Sequence, residues 1–310
     1  MYPHAILQRV ASLTDSRPSM QTPYATITTP PVDAASVLLL RDSPQGLQVL
    51  LMRRHQASQV LGGAYVFPGG KLDAEDHAGD ALQRLSEAPE QLRARLAEPD
   101  LENTRAGGLF MAALREAFEE CGVLAGQSDG GAALAQALRA QQQSAGWHQS
   151  LQQAGVRLRT EALLPWSRWI TPRQPAVTNK RFDTRFFLAA VSDDQIARHD
   201  DFETTDSVWI TPLQALQRYA AGEIELVAPQ IMSLYELKAH DHVQSALDEA
   251  RQRPPALIEP HPFDEDGRRI LSYPGDPRHP VARRAMRGPT RLLFDQGRFS
   301  PLEGMAVLLD

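Results

Sequence analysis

Between Arg115 and Val123 the chain reads Arg-Glu-Ala-Phe-Glu-Glu-Cys-Gly-Val. Wound as a helix, this stretch puts Glu116, Glu119 and Glu120 at i, i+3 and i+4, so three carboxylates share one face. Each like-charge pair at that spacing costs an isolated helix about 0.2–0.5 kcal/mol. Water and salt over an exposed face offset such repulsion, and that is the common case for a Glu cluster. A hard divalent cation offsets it too, since Mg²⁺ takes oxygen ligands from a few carboxylates and substrate phosphates, and Mn²⁺ suits the same donors. A cation so held neutralises phosphoryl oxygens and lowers the pKa of a bound water, which is what hydrolysis of a diphosphate needs. Gly122 supplies the helix stop.

Upstream, Phe67-Pro-Gly-Gly-Lys-Leu-Asp-Ala-Glu-Asp76 reads as a strand end, a glycine turn and an acidic segment. Gly69 and Gly70 let backbone come close to a ligand. The two stretches together resemble the signature of the Nudix hydrolase family: Gly, five residues, Glu, seven residues, then Arg-Glu-aliphatic-x-Glu-Glu-x-Gly-aliphatic. Gly70 matches the first glycine, and Arg115, Glu116, Glu119, Glu120, Gly122 and Val123 match the second half, with Ala117 in an aliphatic slot. There are two departures. Asp76 stands where the family has Glu, and residues 77–114, 38 in number, replace the seven-residue spacer.

The resemblance covers roughly residues 33–250. It implies a Nudix α/β/α sandwich, a mixed sheet between helices, here with helical insertions and an extended C-terminal segment. It further implies metal ligation by Glu116, Glu119, Glu120 and the Gly69 carbonyl, with Arg115 orienting a glutamate. Glu116 is also a candidate general base. In many relatives an acidic residue on a loop helps activate the water, and Glu203, in the acidic run 200–206, is the nominee. The interrupted signature and the phrases Arg181-Phe-Asp-Thr-Arg-Phe-Phe187 and Gly222-Glu-Ile-Glu-Leu226 are similar to the Nudix motif 19-like branch, which includes hydrolases of coenzyme A and acyl-CoA. The implied substrate is a small-molecule nucleoside diphosphate derivative.

Further elements must position these groups. Ala35–Leu40 and Leu47–Met52, joined by a turn at Asp42–Gly46, predict a hairpin. Residues 80–96 carry Leu82, Leu85, Leu92 and Leu96 among many charges and predict one or two surface helices. The motif helix is expected from about Leu109 to Cys121, with Leu109, Ala113 and Ala117 inward. Ala133–Gln143 and Gln149–Ala154 read as helices of a second insertion, a candidate cover for the site or a homodimer surface. Leu164–Pro172, Thr184–Val191 and Ser207–Ile210 read as strands. Thr211, Pro212 and Gln214 form a helix start with a capping box, followed by a stripe of Leu213, Leu216 and Ala220. Arg53, Lys180, Arg181 and Arg185 are candidate contacts to substrate phosphate.

Composition bounds the whole. The 310 residues divide into an N-terminal arm (1–32), a Nudix domain (33–253, with insertions at about 77–107 and 125–160) and a Pro/Arg-rich C-terminal extension (254–310) packed on it. A 42% hydrophobic content supports a sizeable core, and a net charge of −6 gives no global basic field to attract nucleic acid. One cysteine, Cys121, excludes an intramolecular disulfide and fits a reducing compartment. No apolar run reaches the roughly 18 residues a membrane span needs, and no secretory leader is readable, so the expected location is cytoplasmic. Two readings compete with a diphosphatase: a Nudix-fold binding or regulatory module without turnover, and a hydrolase of another dinucleotide or of an RNA cap. The intact glutamates disfavour the first, and the net acidity disfavours RNA.

Overall fold

The apolar run at residues 37–40 is the centre of the molecule. In the computed structural model, which describes residues 24–55, 62–125, 131–192, 195 and 204–310, it lies in strand β1 (Val32–Ser43), and all four of its residues are fully buried. Alternation along the strand sends Ala35, Val37 and Leu39 to one apolar cluster and Leu38 and Leu40 to another. The sheet is therefore covered on both faces. β2 (Gly46–Arg54) completes the expected hairpin, with Ser43 opposite Gly46. β3 (Tyr65–Val66) extends β2, and β4 (Gly69–Lys71) pairs antiparallel with the start of β1.

The insertion that follows is not a surface feature. Its helices α1 (Gly79–Leu82) and α2 (Pro89–Leu96) bury Leu82, Leu92 and Leu96, and the segment between them buries Leu85, in the same cluster as α3 (Asn103–Cys121). The motif helix thus starts six residues before Leu109 and runs straight through Gly107 and Gly108. Side chains there would collide with Leu82 in one case and with His77 and Leu72 in the other. Leu109, Ala113 and Ala117 face the sheet, fully buried, and Gly122 ends the helix in a left-handed conformation (φ 70°).

α4 (Gly131–Ala145) and α5 (Trp147–Ala154) form the second insertion. β5 (Leu164–Ile170), β6 (Phe182–Ala190) and β7 (Thr204–Ile210) complete the expected strands. β6 lies parallel to β1 and antiparallel to β5, while β7 pairs with β2. α6 (Pro212–Ala220) opens with the expected capping box, the Thr211 hydroxyl accepting from Gln214 N–H at 3.2 Å. Its buried stripe is Pro212, Ala215, Leu216 and Tyr219, whereas Leu213 is 39% exposed, against expectation. The helix meets the core one position further round than the reading from Leu213 assumed. α7 (Ala228–Leu237) and α8 (Val243–Gln252) close the second layer.

Residues 254–310 are more regular than an extended segment. β8 (Ala256–Ile258) joins the main sheet beside β5. β9 (His261–Glu265), β10 (Arg268–Ser272), β11 (Arg291–Asp295) and β12 (Arg298–Pro301) make a second, antiparallel sheet in the order β12-β11-β10-β9. Leu271, Tyr273, Leu292, Phe299 and Leu308 merge with the cluster beneath α6–α8. No helix among the described residues is long and apolar enough to cross a membrane.

Candidate active site

α3 and β4 meet at the end of the sheet, and the two halves of the signature meet with them. Glu120 is buried at 4% exposure, and its carboxylate accepts the Gly69 N–H at 2.8 Å. Gly70 lies against Glu116, where any Cβ would run into the Glu116 carboxylate. Glu116 and Glu119 face a cleft of about 910 Å³, lined there also by Arg54, Lys71, Asp73 and Arg115.

Arg115 ties the two halves together. Its Nε and Nη2 donate to the two oxygens of Asp76, both at 2.9 Å, a bidentate pair. Its Nη1 donates to Glu116 at 2.8 Å and Glu119 at 3.0 Å, and its Nη2 also reaches the Lys71 carbonyl at 3.0 Å. Asp76 is fully buried within a single 3-10 turn, Glu75–His77. Burial pushes its carboxyl up, but His148, Arg115 and the Asp73 N–H outweigh that and hold it below the ordinary aspartate value. Burial likewise lowers Arg115, and the carboxylates of Asp76, Glu116 and Glu119 more than reverse it. The shorter side chain at position 76 therefore reaches its arginine.

The second insertion adds two groups that spacing does not reveal. His148 Nε2 lies 3.2 Å from Asp76 Oδ1, and Gln142 Nε2 donates to Glu119 Oε1 at 2.7 Å. Trp147 stacks on Phe118 of α3 at 5.0 Å between ring centroids, which fixes α5 beside the motif helix.

The predicted phosphate contacts divide. Lys180 lines the cleft and is exposed. Arg53 is exposed but stands outside the cleft wall; its neighbour Arg54 lines it, as successive side chains on β2 point to opposite faces. Arg181 is buried, donating to the Thr171 carbonyl at 2.8 Å and Glu259 at 3.2 Å. Arg185 is buried among Asp33, Glu98 and Asp183, with Nη2 to Glu98 at 2.7 Å. In this geometry neither Arg181 nor Arg185 faces the cleft, because the Thr171 carbonyl and Glu259 hold the first and the buried carboxylates of Asp33, Glu98 and Asp183 hold the second. Glu203 lies outside the described residues.

Whether the residues present suit a divalent cation is decided by donor chemistry and room. Glu116, Glu119 and Glu120 offer oxygens alone, the donor type of hard cations, and the missing side chain at Gly70 lets the Glu116 carboxylate pack against the glycine turn. Among the described residues no three His, Cys, Asp or Glu groups converge on one point. Arg115 draws Glu116 and Glu119 toward itself, and Gly69 N–H holds an oxygen of Glu120. The donor set fits in kind, and closing it round an ion requires these carboxylates to reorient.

A glycine turn packed on a Glu-bearing helix at the edge of a mixed, two-faced sheet is the architecture of Nudix hydrolases. The crystal structure of a Nudix hydrolase from Alicyclobacillus acidocaldarius superposes with a TM-score of 0.57 at 26% sequence identity, over 71% of this chain and 97% of that one. The family model described as the NUDT19 Nudix domain matches residues 25–238, and the chain belongs to that family. Two relatives named acyl-coenzyme A diphosphatase NUDT19 are similar in sequence. The Xenopus laevis protein is 27% identical over 225 residues, which span 61% of this chain and 59% of that protein. The Homo sapiens protein is 30% identical over 232 residues, spanning 62% and 61%. The match thus takes in about three fifths of the length of these two relatives.

Proposed function

We propose that this protein is a divalent-metal-dependent diphosphatase that hydrolyses a nucleoside diphosphate linked to a second moiety, with CoA and acyl-CoA as its substrates. Membership of the NUDT19 Nudix domain family and the names of the two relatives support the reading. The observation that carries it is the juxtaposition of Gly69–Gly70 with Glu116 and Glu120 at an open cleft, although residues 77–114 separate the two stretches in sequence. Three carboxylates on one helix face are a poor design for a mere binder of polyanions, which would repel the ligand they hold.

Glu116, Glu119, Glu120 and the Gly69 carbonyl would hold Mg²⁺ or Mn²⁺, which would supply charge neutralisation for the diphosphate oxygens and a lowered pKa for a water. The chain's own residues do the rest. Arg115 orients Glu116 and Glu119. Arg54, Lys71 and Lys180 bring positive charge to the cleft for the diphosphate. Glu203, or Glu116 in place of its ligand role, accepts the proton of the attacking water, a role worth roughly 10²–10⁴-fold in rate.

The test is turnover with Mg²⁺ and with Mn²⁺ of CoA, acyl-CoAs, ADP-ribose, dinucleoside polyphosphates and NADH, following release of mononucleotide or phosphopantetheine. Activity on CoA or acyl-CoA, abolished in Glu120→Gln, is expected. Equal rates for wild type and Glu120→Gln remove the metal-site assignment, and turnover of none of these compounds removes the function.

A further inference from the structure

The cleft does not stop at the carboxylates. Backbone register traces its course across the sheet: Gly69 of β4 pairs with Ser36 of β1, Ser36 pairs with Phe186 of β6, and Phe186 pairs with Ser167 of β5. At roughly 4.8 Å per strand, the Phe186 backbone lies about 10 Å from that of Gly69. Along this row the character of the wall changes. Charged groups thin out to Lys180, and the same cleft is lined largely by apolar side chains, among them Trp169, Val177, Phe186, Val227, Leu271 and Phe299. The volume, about 910 Å³, sits near the top of the roughly 300–1,000 Å³ range of ligand sites.

Two of these residues belong to the C-terminal sheet, Leu271 on β10 and Phe299 on β12, and Pro260 just before β9 joins them. All three lie beyond residue 238, where the family match ends. Trp169 on β5 stacks edge-on against Tyr273, at 5.8 Å between centroids, which fixes the sheet against the cleft. Across the opening, Val177 stands 38% exposed on the β5–β6 connection, a large apolar side chain with one face on the cleft and one in water.

We infer that the C-terminal sheet is the specificity wall of this enzyme: Leu271 and Phe299, with Trp169 and Val177 lining the same cleft, hold the apolar end of an extended substrate arm while its diphosphate lies at Glu116 and Glu119. The inference rests on the proposed diphosphatase reading and adds to it the position of the arm and the residues that select it. A second sugar or nucleotide, as in ADP-ribose or a dinucleotide, would set part of its hydroxyls and charge against the apolar side chains of this wall. The chain of an acyl-CoA, which begins beyond the pantetheine arm, meets the far, C-terminal part of it. Full burial of one methylene corresponds to about fourfold in affinity, so a chain that reaches the wall tightens binding steeply with length.

The experiment is kcat/KM for free CoA and for butanoyl-, octanoyl- and dodecanoyl-CoA, with ADP-ribose in parallel. In the wild type the ratio of dodecanoyl-CoA to free CoA should exceed tenfold and be carried by KM, with ADP-ribose the poorest. Val177→Asp and Phe299→Leu should each lower that ratio at least threefold, whereas Leu302→Ser, exposed and outside the cleft, should keep it. Because Phe299 is buried and its variant can fail to fold, a second measurement uses the wild-type chain. A dodecanoyl-CoA with a terminal diazirine, flash-irradiated in EDTA, should label peptides between residues 260 and 301. A flat chain-length profile overturns the inference, as does label confined elsewhere or absent. Turnover of ADP-ribose and free CoA as fast as dodecanoyl-CoA would leave the diphosphatase standing and remove the wall. Turnover of no diphosphate at all would instead sink the function beneath it.

Discussion

Asp76 and Glu236 are both buried carboxylates, 0% and 5% exposed, and their acidities move in opposite directions. Asp76 sits in a fork of Arg115 with both oxygens at 2.9 Å, and His148 and the Asp73 N–H add to it; it is held below its ordinary value against the pull of burial. Glu236, on α7, has Arg253 at 4.0 Å and the Arg287 N–H at 3.4 Å, so burial dominates and its carboxyl is pushed up. Desolvation acts on both groups. The difference lies in whether a planar donor meets the carboxylate at hydrogen-bonding distance or stands off it. One group can anchor an active-site arginine, and the other can hold its proton more readily.

Removing the fork is the largest test of this contrast. Asp76→Ala leaves Arg115 buried without its main partner, and breaking a buried pair costs about 3–5 kcal/mol. The expected outcome is a clear fall in urea midpoint together with loss of diphosphatase activity; a midpoint shift no larger than that of Glu236→Gln would erase the distinction. Arg115→Lys keeps the charge and gives up the planar fork, so Glu116 and Glu119 lose their common donor. Activity should fall about 10–100-fold, with a higher metal concentration needed for half-maximal rate. His148→Ala should cost about 1 kcal/mol, since its ring is partly exposed and removes one hydrogen bond of several on Asp76. Thermal melting reads that change, and His148→Asn, if its amide reaches Asp76, should recover part of it.

The smallest effect is in pH. Asp76 has a depressed folded pKa, so its stabilisation is complete above the unfolded value near 3.9 and is lost as pH falls through the lower folded value. Glu236 has a raised one, so its contribution is complete below the unfolded value near 4.3 and is lost as pH rises through the folded value. Denaturation series from pH 3 to 7 should therefore show Asp76→Asn flattening the acid-side loss and Glu236→Gln flattening the loss on the neutral side. The same slope in wild type and Glu236→Gln would mean that Arg253 and Arg287 already neutralise that burial.

The meeting of Glu116 and Glu120 with Gly69 and Gly70 was legible in the sequence because it depends on residue types at helical spacing, and spacing survives folding. The partners of Arg181 and Arg185 were not legible, for the opposite reason. Their cluster looks like a solvated or phosphate-binding edge, and the carboxylates that claim them, Asp33, Glu98 and Glu259, are far away in the chain. His148 and Gln142 reach the site by tertiary packing of α4 and α5, for which no local pattern exists. The C-terminal sheet did leave a signal. Asp266-Gly267 and Gln296-Gly297 each hold two consecutive positive φ angles between paired strands, and Asp-Gly is a strong hairpin dipeptide. The prolines and arginines around them masked it. Leu213 shows the remaining limit, since a stripe can be read with the right period and the wrong phase.

The interruption of the signature also shapes how the chain folds. Lengthening the loop that joins Asp76 to Arg115 from seven residues to 38 raises its closure entropy by about 1.5 kcal/mol. A floppy insertion would add that amount to the barrier for assembling the site. Here Leu82, Leu85, Leu92 and Leu96 share one buried cluster with α3, so the insertion is anchored on the helix that carries Arg115. The order of events should follow: α1–α3 collapse as a local unit, and the Asp76–Arg115 fork snaps shut afterwards, as the last contact rather than the nucleus. The insertion would then act as a folding chaperone carried in cis, guiding the two halves of the motif toward each other.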